Sequence, residues 1–232
     1  MLIKKWDKLP DFMKCDEVKE YYDILSKKKI SLLFKRIFDF IIGVMVLLIT
    51  MLPMLIISIK IMTETSGGVF YRQERITAYG KKFRIHKFRT MVKNADQIGN
   101  AVTVSDDDRI TPTGKILRKY RLDELPQVFD VLSGNMSFVG TRPEVEKYVD
   151  RYTNSMYATL LLPAGITSEA SIRFKDESAL LTKNVNVDEI YLNEILPKKM
   201  EYNLKSIREF SFLGEIRTMF RTVFAVFGKE YN

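Results

Sequence analysis

The sequence has few of the residues on which disulfide, thiol and zinc chemistry depend. Its 232 residues include one cysteine, Cys15, and one histidine, His86. One cysteine excludes an intramolecular disulfide and a metal site built from several cysteines. One histidine excludes mechanisms that need two or three, such as that of a zinc hydrolase. His86 lies in a strand-like stretch beside Lys87, and we assign it no catalytic role. Any catalysis by this chain therefore has to use carboxylates and cations.

Charge is absent from one long stretch of the chain. Residues 40–59, FIIGVMVLLITMLPMLIISI, contain no Asp, Glu, Lys or Arg. About 20 apolar residues are enough for a helix to cross the hydrocarbon layer of a bilayer. The stretch lies too far from the N-terminus for an ordinary signal peptide and lacks a convincing cleavage site. It predicts a membrane helix in preference to a buried core helix.

Both flanks of the apolar stretch are basic. Before it lie Lys27, Lys28, Lys29, Lys35 and Arg36. After it, residues 60–93 hold nine Lys or Arg and two Glu, a local net charge of +7. Positive charge marks the cytoplasmic side of a membrane helix, and Pro53 removes a backbone hydrogen bond and favours a kink. A re-entrant helix over 34–62, with both ends in the cytoplasm, is therefore favoured over a straight span. We expect Asp39 near the interface, paired with Lys35 or Arg36.

Acidic residues are outnumbered by basic ones, 29 to 37, and the formal net charge is +8. This balance indicates a phosphate-bearing partner, which is nucleic acid, anionic lipid or a nucleotide substrate. A membrane-tethered basic module that binds nucleic acid or acts as an adaptor is one alternative. It is disfavoured, because the cations here accompany turns and carboxylates and are not interleaved with a stacking platform of aromatic residues.

After the apolar stretch, the pattern predicts two short strands around the turn 78–80, in VFYRQERI and KKFRIHKFRTM. Helices are expected over 115–120, over 122–133 with Gly134 closing the helix, and over 144–160 and 187–209. The C-terminal stretch carries an apolar stripe that predicts either core or a helix in the membrane surface. Its members are Leu213, Ile216, Phe220, Val223 and Phe227.

Asp123 and Glu124 stand at the start of a predicted helix that Pro126 helps to begin. Acidic residues are favoured there for electrostatic reasons alone, but these two have basic company that suits phosphate groups. The cations are Lys87, Arg89, Arg118, Lys119, Arg121 and Arg142. In such a site one carboxylate can attack phosphorus while the other holds a Mg²⁺ that neutralises phosphate oxygens.

A second acidic cluster, Asp106-Asp107-Asp108, offers an alternative. Nucleotide-sugar glycosyltransferases commonly bind a metal diphosphate through a short Asp-x-Asp element, and such an enzyme would move the sugar alone and release UDP. The cluster lies in VTVSDDDRITPTG, a turn-like stretch in which Ser and Asp are expected anyway. A solvated turn is the favoured interpretation, and the glycosyltransferase stays the alternative.

The sequence resembles the monotopic phosphoglycosyl transferases, also called the bacterial sugar transferase family, over most of residues 34–228. The resemblance rests on KRIFD, GGVFYRQERI, FRIHKFRTM, PAGIT and the stretch from ILPKKMEYNL onward. The strongest signal is RITPTGKILRKYRLDELPQVFDVLSGNMSFVGTRP at 109–143, where LDELPQ, SFVG and RP follow in order.

The resemblance implies a membrane enzyme that transfers a sugar phosphate from a UDP-sugar to polyprenyl (undecaprenyl) phosphate and releases UMP. It implies that Asp123 attacks the β-phosphate to form a covalent intermediate and that Glu124 supports Mg²⁺. It places phosphate-binding cations at Lys87, Arg89, Arg118 and Arg142. Lys35, Arg36, Asp39 and Pro53 fall in its membrane anchor. Such enzymes start capsule, exopolysaccharide or O-antigen-type glycans on the cytoplasmic face of the bacterial inner membrane.

Pattern and resemblance together predict an α+β fold that is mostly helical. A re-entrant membrane helix packs on a small cytoplasmic catalytic domain with interfacial amphipathic helices and a short β-hairpin. We expect a charged N-terminal extension over 1–33, the membrane helix over 34–62 and the catalytic domain over 63–232. Membrane lipid is an expected partner, nucleic acid is not, and a homodimer is left open.

The chain departs from the family pattern at several positions. Leu52 stands before the proline where Ser is frequent, Thr141 replaces Pro in the turn GTRP, and Asn135 replaces Asp. Ser168 follows GIT in place of Gly, and EASIRF replaces a more familiar run. We expect that last region to contact the nucleotide sugar, so the identity of the sugar is left open. Residues 1–30 have no counterpart in the resemblance and are expected to form a cytoplasmic surface helix or arm without chemistry.

Overall fold

The computed structural model describes residues 3–95, 107–174 and 187–226. Most of them are helical, and four short strands form two small sheets. The α-helices are α1 (Asp16–Ser26), α2 (Lys29–Glu64), α3 (Pro112–Lys119), α4 (Val128–Leu132), α5 (Glu146–Val149), α6 (Glu169–Arg173), α7 (Val187–Ile190), α8 (Leu196–Arg208) and α9 (Phe212–Val226). The strands are β1 (Phe70–Ile76), β2 (Lys82–Phe88), β3 (Met136–Val139) and β4 (Ala164–Thr167). The predominantly helical α+β architecture is confirmed.

Shorter helical turns join these elements. Tight 3-10 turns span Trp6–Lys8, Asp11–Met13, Ala78–Gly80, Leu122–Gln127 and Asn154–Leu161, and a π-helical turn, Tyr191–Ile195, joins α7 to α8. The helix predicted over 187–209 is therefore present as one continuous run. The prediction of a single helix over 144–160 is wrong, because α5 ends at Val149 and a separate 3-10 turn begins at Asn154. Helix α3 begins earlier than predicted, since Thr111 Oγ1 accepts a hydrogen bond from Gly114 N and caps the helix.

Helix α2 contains the apolar stretch and runs unbroken for 36 residues through Pro53. At 1.5 Å per residue its contour is about 54 Å. Only 11% of its most apolar 18-residue window is buried by the rest of the protein. A helix that is apolar all round is normally covered by protein or lipid. Its exposed surface is therefore the part of the chain best suited to a bilayer.

The first half of α2 docks through the KRIFD motif. Lys35 Nζ donates to Val139 O (2.7 Å) and is paired with Glu215, while Arg36 donates to Val131 O (2.7 Å) and Leu132 O (3.0 Å) at the end of α4. Asp39 accepts hydrogen bonds from Ser137 Oγ (2.7 Å) and Phe138 N (3.3 Å). The expected pairing of Asp39 with Lys35 or Arg36 is wrong. Each of these side chains is instead satisfied by the domain beneath the helix, as a buried polar group must be.

The second half of α2 docks on the same body. Met54 and Ile61 share a buried cluster with Phe88 of β2 and Leu117 of α3. At the end of the helix Glu64 Oε1 accepts a hydrogen bond from Thr113 N (3.0 Å). Both ends of α2 thus contact one folded unit.

The predicted β-hairpin is confirmed. Strands β1 and β2 pair antiparallel, with Phe70 opposite Phe88 and Ile76 opposite Lys82. The connecting turn needs left-handed backbone at Tyr79 (φ 61°) and Gly80 (φ 74°). The hairpin carries Lys87 to the candidate site.

A parallel pair, β3 and β4, was not predicted. Met136 pairs with Ala164 and Val139 with Thr167. A Cβ on Gly165 would lie 2.2 Å from Gly140 N, so the two backbones meet where only glycine fits. This contact aligns the ends of both strands and sets the position of the turn that holds Arg142.

The N-terminal extension is part of the core. Met13, Val18 and Leu25 are fully buried in the largest hydrophobic cluster, together with residues of the 154–161 turn and of α8. Arg208 Nη2 donates to Glu20 Oε1 (3.0 Å) across the same interface. A helix is present as predicted, but it is not a free arm, because apolar residues on one face of α1 pack it against the domain.

Candidate active site

The two candidate carboxylates lie on the 3-10 turn Leu122–Gln127 between α3 and α4. The chain enters this turn through Arg121, whose backbone is left-handed (φ 56°). Strand β2 packs against the turn and brings Lys87, α3 contributes Arg118, and the turn after β3 brings Arg142. Cations from three separate parts of the chain therefore converge on Asp123 and Glu124.

Glu124 is held between two cations. Lys87 Nζ donates to its Oε1 (2.9 Å), and the Arg142 guanidinium donates to both oxygens, with Nη1 to Oε2 at 3.2 Å. Burial alone would raise the pKa of Glu124, but Arg142 and Lys87 outweigh it and hold the pKa well below its usual range. Glu124 is therefore an ionised, positioned anion at neutral pH.

The pKa values of Arg142 and Lys87 shift in opposite directions. The charge of Glu124 raises the pKa of Arg142 against the effect of burial. For Lys87 burial is the larger effect and lowers the pKa, and Glu124 offsets it only in part. Arg142 also points Nη1 at Ile166 O of β4, 3.5 Å away. The guanidinium thus bridges the 3-10 turn and the parallel pair of strands.

Asp123 differs sharply from its neighbour. Its carboxylate makes no hydrogen bond or ion pair with the residues of 3–95, 107–174 and 187–226, although it is half-buried. Burial raises the pKa of Asp123, the charge of Glu124 adds to this effect, and Lys87, Arg118 and Arg142 oppose it. The result is a more basic carboxylate with uncommitted oxygens in a field of three cations, as a nucleophile requires.

The structure places the two remaining candidate cations differently. Arg118 lies within electrostatic reach of Asp123, and its Nε donates to Thr90 Oγ1 (2.9 Å). Arg89 instead donates from Nη2 to Thr65 O (3.0 Å) and Thr65 Oγ1 (2.7 Å), just beyond the end of α2. Three of the four predicted cations therefore surround the dyad, while Arg89 binds the residue that follows α2.

A network of ion pairs and hydrogen bonds around Glu144, next to Arg142, was not predicted from the sequence. Arg75 Nη1 donates to Pro143 O (3.1 Å) and lies 4.0 Å from a carboxylate oxygen of Glu144. Glu144 is also bonded by the Tyr191 hydroxyl and lies 3.9 Å from Lys199 Nζ. These contacts fix the backbone directly after Arg142. No local sequence pattern predicts these contacts, because the residues are far apart in the chain. Arg75 lies in β1, Glu144 follows Arg142 by two positions, and Tyr191 and Lys199 lie in the π-helical turn and α8.

Gln127 was quoted within LDELPQ but given no role. It is fully buried, and neither Oε1 nor Nε2 has a partner among the described residues. Leaving such a group unsatisfied costs about 1–3 kcal/mol. Because side chains three apart eclipse in a 3-10 helix, Gln127 lies on the same side of the turn as Glu124. His86, by contrast, is fully engaged with Asp130 through its ring (2.8 Å) and its backbone N–H (2.8 Å).

The dyad fits a Mg²⁺ bound together with a substrate. The described residues contain no cluster of three or more His, Cys, Asp or Glu side chains that would hold a metal alone. Mg²⁺, however, is commonly held by one or two carboxylates plus substrate phosphates. Glu124 is ionised and its Oε2 accepts one hydrogen bond, at 3.2 Å, so a lone pair of that oxygen stays open.

In the competing acidic cluster, the structure shows a side-chain partner for Asp107, while Asp108 is exposed. Asp106 lies outside the described residues. Asp107 is bound by Arg109, with Nη2 donating to Oδ2 (2.6 Å) and Nε to Oδ1 (2.9 Å). This side-chain bonding lowers the pKa of Asp107. Asp107 is buried and both of its oxygens accept hydrogen bonds from Arg109, so the prediction of a solvated turn is wrong for this residue.

An uncommitted carboxylate, a clamped carboxylate and converging cations suit the binding of a phosphate-bearing group. The sequence model of a family described as bacterial sugar transferase matches residues 30–229. The chain belongs to the bacterial sugar transferase family, and the resemblance seen in the sequence is confirmed.

Relatives with recorded activities share this region. A UDP-glucose:undecaprenyl-phosphate glucose-1-phosphate transferase of Klebsiella pneumoniae is 34% identical over 204 residues, 85% of this chain and 41% of that protein. A UDP-N-acetylgalactosamine-undecaprenyl-phosphate N-acetylgalactosaminephosphotransferase of Aeromonas hydrophila is 33% identical over 174 residues, 73% of this chain and 38% of that protein. The chain thus spans about two fifths of the length of these two relatives.

A shorter relative matches more evenly. A putative undecaprenyl-phosphate N-acetylgalactosaminyl 1-phosphate transferase of Bacillus subtilis is 37% identical over 135 residues, 58% of this chain and 75% of that protein. The three names share undecaprenyl phosphate and differ in the sugar, glucose in one and N-acetylgalactosamine in two.

Proposed function

We propose that the chain transfers a sugar 1-phosphate from a UDP-sugar to polyprenyl phosphate, releasing UMP, and so starts a surface glycan. The observation that carries the proposal is the contrast between the two adjacent carboxylates. Glu124 is clamped by Lys87 and Arg142, whereas Asp123 is unpartnered among the described residues and more basic than usual. The names of the relatives support the donor and acceptor classes.

The reaction balances as two displacements at one phosphorus. A carboxylate oxygen of Asp123 attacks the β-phosphorus of the UDP-sugar, the bond from that phosphorus to the bridging oxygen breaks, and UMP leaves. An oxygen of polyprenyl phosphate then attacks the same phosphorus, and the bond to Asp123 breaks. The products are UMP and a polyprenyl diphosphate sugar, and the Asp123 carboxylate is regenerated.

The cations around the dyad lower the barrier for an anion that attacks an anion. Arg142, Lys87 and Arg118 mask the charge of the diphosphate, which otherwise repels Asp123. Glu124 holds the Arg142 fork in place before substrate arrives, so little reorganisation is needed. A Mg²⁺ bound by Glu124 and the substrate's phosphate oxygens would supply further charge neutralisation.

The docking of α2 supports re-entrant placement in the membrane. Gly43 lies against Leu132, where an added Cβ would be 2.9 Å from Leu132 Cδ2, and Met54 is buried on the same body. Gly43 and Met54 lie eleven positions apart, which corresponds to about 16 Å of helix, whereas a hydrocarbon layer is about 30 Å thick. A straight span would separate the two contacts. We therefore place both basic flanks on the cytoplasmic side of the inner membrane.

Helix α9 supports an interfacial position for the C-terminus. The exposed fractions of Leu213 and Phe220 are 76% and 60%. The opposite face is tied to the domain, with Thr222 Oγ1 2.7 Å from Thr167 Oγ1 and Arg221 Nη1 donating to Glu169 (2.8 Å). An exposed apolar face on an anchored helix suits the boundary between headgroups and acyl chains. Phe227, the last member of the predicted stripe, lies outside the described residues.

One assay tests the reaction class. The full chain is purified in detergent and incubated with a panel of UDP-sugars and polyprenyl phosphate, and the released nucleotide is identified by chromatography. UMP is expected with one UDP-sugar or a small set, together with a lipid-linked diphosphate product. Release of UDP would refute the proposal and favour the Asp-x-Asp glycosyltransferase.

A further inference from the structure

A cavity of about 350 Å³ lies apart from the dyad. It is enclosed by α6, α8, α9 and the turn after β3, and none of the dyad or its three cations lines it. Its apolar wall consists of Val139, Leu162, Ile207 and Phe210. A space of this size accepts a small organic group, since ligand pockets start at about 300 Å³.

One cation of the cavity lining has no partner among the described residues. Seven charged side chains line the cavity: Glu169, Arg173, Lys205, Glu209, Glu215, Arg217 and Arg221. Glu169 pairs with Arg173 and Arg221, Glu209 pairs with Lys205, and Glu215 pairs with Lys35, which lies outside the lining. With Lys35 counted, five cations face three carboxylates and the net charge is +2: one charge belongs to the two arginines that share Glu169, and the other to Arg217. Arg217 makes no hydrogen bond or ion pair with the described residues.

Arg217 borders the exposed apolar face of α9. It lies four residues after Leu213 and three before Phe220, so the three side chains are neighbours on the helix surface. Phe224, one turn further, is 54% exposed. A cation at the edge of an apolar helix face is the arrangement by which interfacial helices bind anionic lipids.

We propose that this cavity binds the phosphate headgroup of an anionic membrane phospholipid. Arg217 pairs with the phosphate, the glycerol lies against the apolar wall, and the acyl chains follow Phe220 and Phe224 into the bilayer. The lipid takes no part in the reaction and holds α9 on the membrane. This site goes beyond the proposed function, and it is measured without either substrate.

The surroundings favour a lipid over a soluble phosphate. The rim of the cavity continues into exposed apolar side chains of α9, which a soluble phosphate would leave uncovered and the acyl chains of a lipid would cover. Arginine suits the phosphate because its planar fork donates two hydrogen bonds. An amphiphile with an anionic head satisfies both halves of the cavity.

The test measures lipid retention by the full chain. Wild-type protein is reconstituted in nanodiscs of phosphatidylcholine with and without phosphatidylglycerol, released, and analysed by native mass spectrometry for bound lipid. Arg217→Gln is compared with Arg151→Gln, which removes the same charge from an exposed residue that does not line the cavity. We expect wild type and Arg151→Gln to retain phosphatidylglycerol selectively. Arg217→Gln should lose about tenfold or more in affinity, as for a lost charge-assisted hydrogen bond.

A second variant separates the cavity from its charge. Ser206 lines the cavity and is exposed, so Ser206→Trp fills the space while every cation stays in place. The same loss of phosphatidylglycerol is expected, with circular dichroism showing that both variants remain folded. Unchanged retention in both variants would overturn the proposal. Displacement of the lipid by soluble glycerol phosphate at equal concentration would also overturn it, because the cavity would then bind a soluble phosphate. A raised KM for UDP-sugar in Arg217→Gln, measured in phosphatidylcholine alone, would likewise overturn it and assign the cavity to a substrate.

Discussion

Removal of the Arg142 guanidinium tests the electrostatics of the site most directly. Arg142→Ala takes away the fork that contacts both oxygens of Glu124 and its contact with Ile166 O. In the proposed reaction the same fork neutralises the diphosphate. Removing one preorganised donor of this kind costs about 2–4 kcal/mol of transition-state stabilisation. We therefore expect kcat to fall roughly 10²- to 10³-fold.

The substitution also leaves a buried carboxylate with one partner in place of two. Breaking a buried ion pair costs about 3–5 kcal/mol. Lys87 remains and the Arg142 side chain is 30% exposed, so we expect a loss of about 1–2 kcal/mol in the free energy of unfolding.

The sign of the pH dependence follows from the pKa of Glu124. A lowered folded-state pKa stabilises the protein above the unfolded value, near 4.5, and this contribution is lost as the pH falls through the folded pKa. Arg142 supplies the larger opposing charge, so its removal raises the folded pKa of Glu124. The stability difference between wild type and Arg142→Ala should therefore be largest near neutral pH and shrink toward acid.

The assay pairs initial rates of UMP release with thermal unfolding in the same detergent. Arg142→Lys should recover part of the rate, because lysine restores the charge without the bidentate fork. Arg84→Ala, which removes an exposed arginine from β2, serves as the matched control and should leave both measurements unchanged. Near wild-type UMP release by Arg142→Ala would refute this account of the site.

Three further outcomes are expected. Asp123→Asn should abolish UMP release in the absence of lipid acceptor. By mass spectrometry, only wild type should carry a sugar-phosphate adduct on the peptide that contains Asp123. An adduct on Glu124 would reverse the assignment of the nucleophile. Gln127→Leu removes two unpartnered buried atoms and should raise the free energy of unfolding by about 1–3 kcal/mol, so a destabilised variant would reveal a partner such as an ordered water. In a chain whose native cysteine is replaced by serine, single cysteines at 26 and 66 should both resist an impermeant reagent added outside spheroplasts, and labelling of either would exclude re-entrant placement.

Local signals in the sequence were sufficient for several features of this protein. The hairpin was predicted because strand alternation and the turn at 78–80 are properties of neighbouring residues. The apolar stretch of α2 and the dyad at Asp123 and Glu124 were likewise visible in contiguous residues. These features depend on residues that are neighbours in the sequence, so the pattern of residues along the chain is enough to predict them.

Only the tertiary structure decided what these residues contact. Lys35, Arg36 and Asp39 were expected at a membrane interface, yet they dock α2 onto β3 and α4 because the fold places carbonyl, hydroxyl and amide groups beneath them. The parallel pair of β3 and β4 joins segments whose paired residues lie 28 positions apart, and four-residue strands carry too little pattern to announce such a partner.

The same holds for the electrostatic environment of the site. The resemblance implied different roles for Asp123 and Glu124, but the difference in their hydrogen bonding and pKa is made by Lys87 of β2 and Arg142 beyond β3. Electrostatic environment depends on distance in space, and the chain brings these cations together only when the hairpin and the parallel strands have packed. The identity of the two carboxylates was therefore a property of the sequence, and their opposite protonation behaviour is a property of the fold.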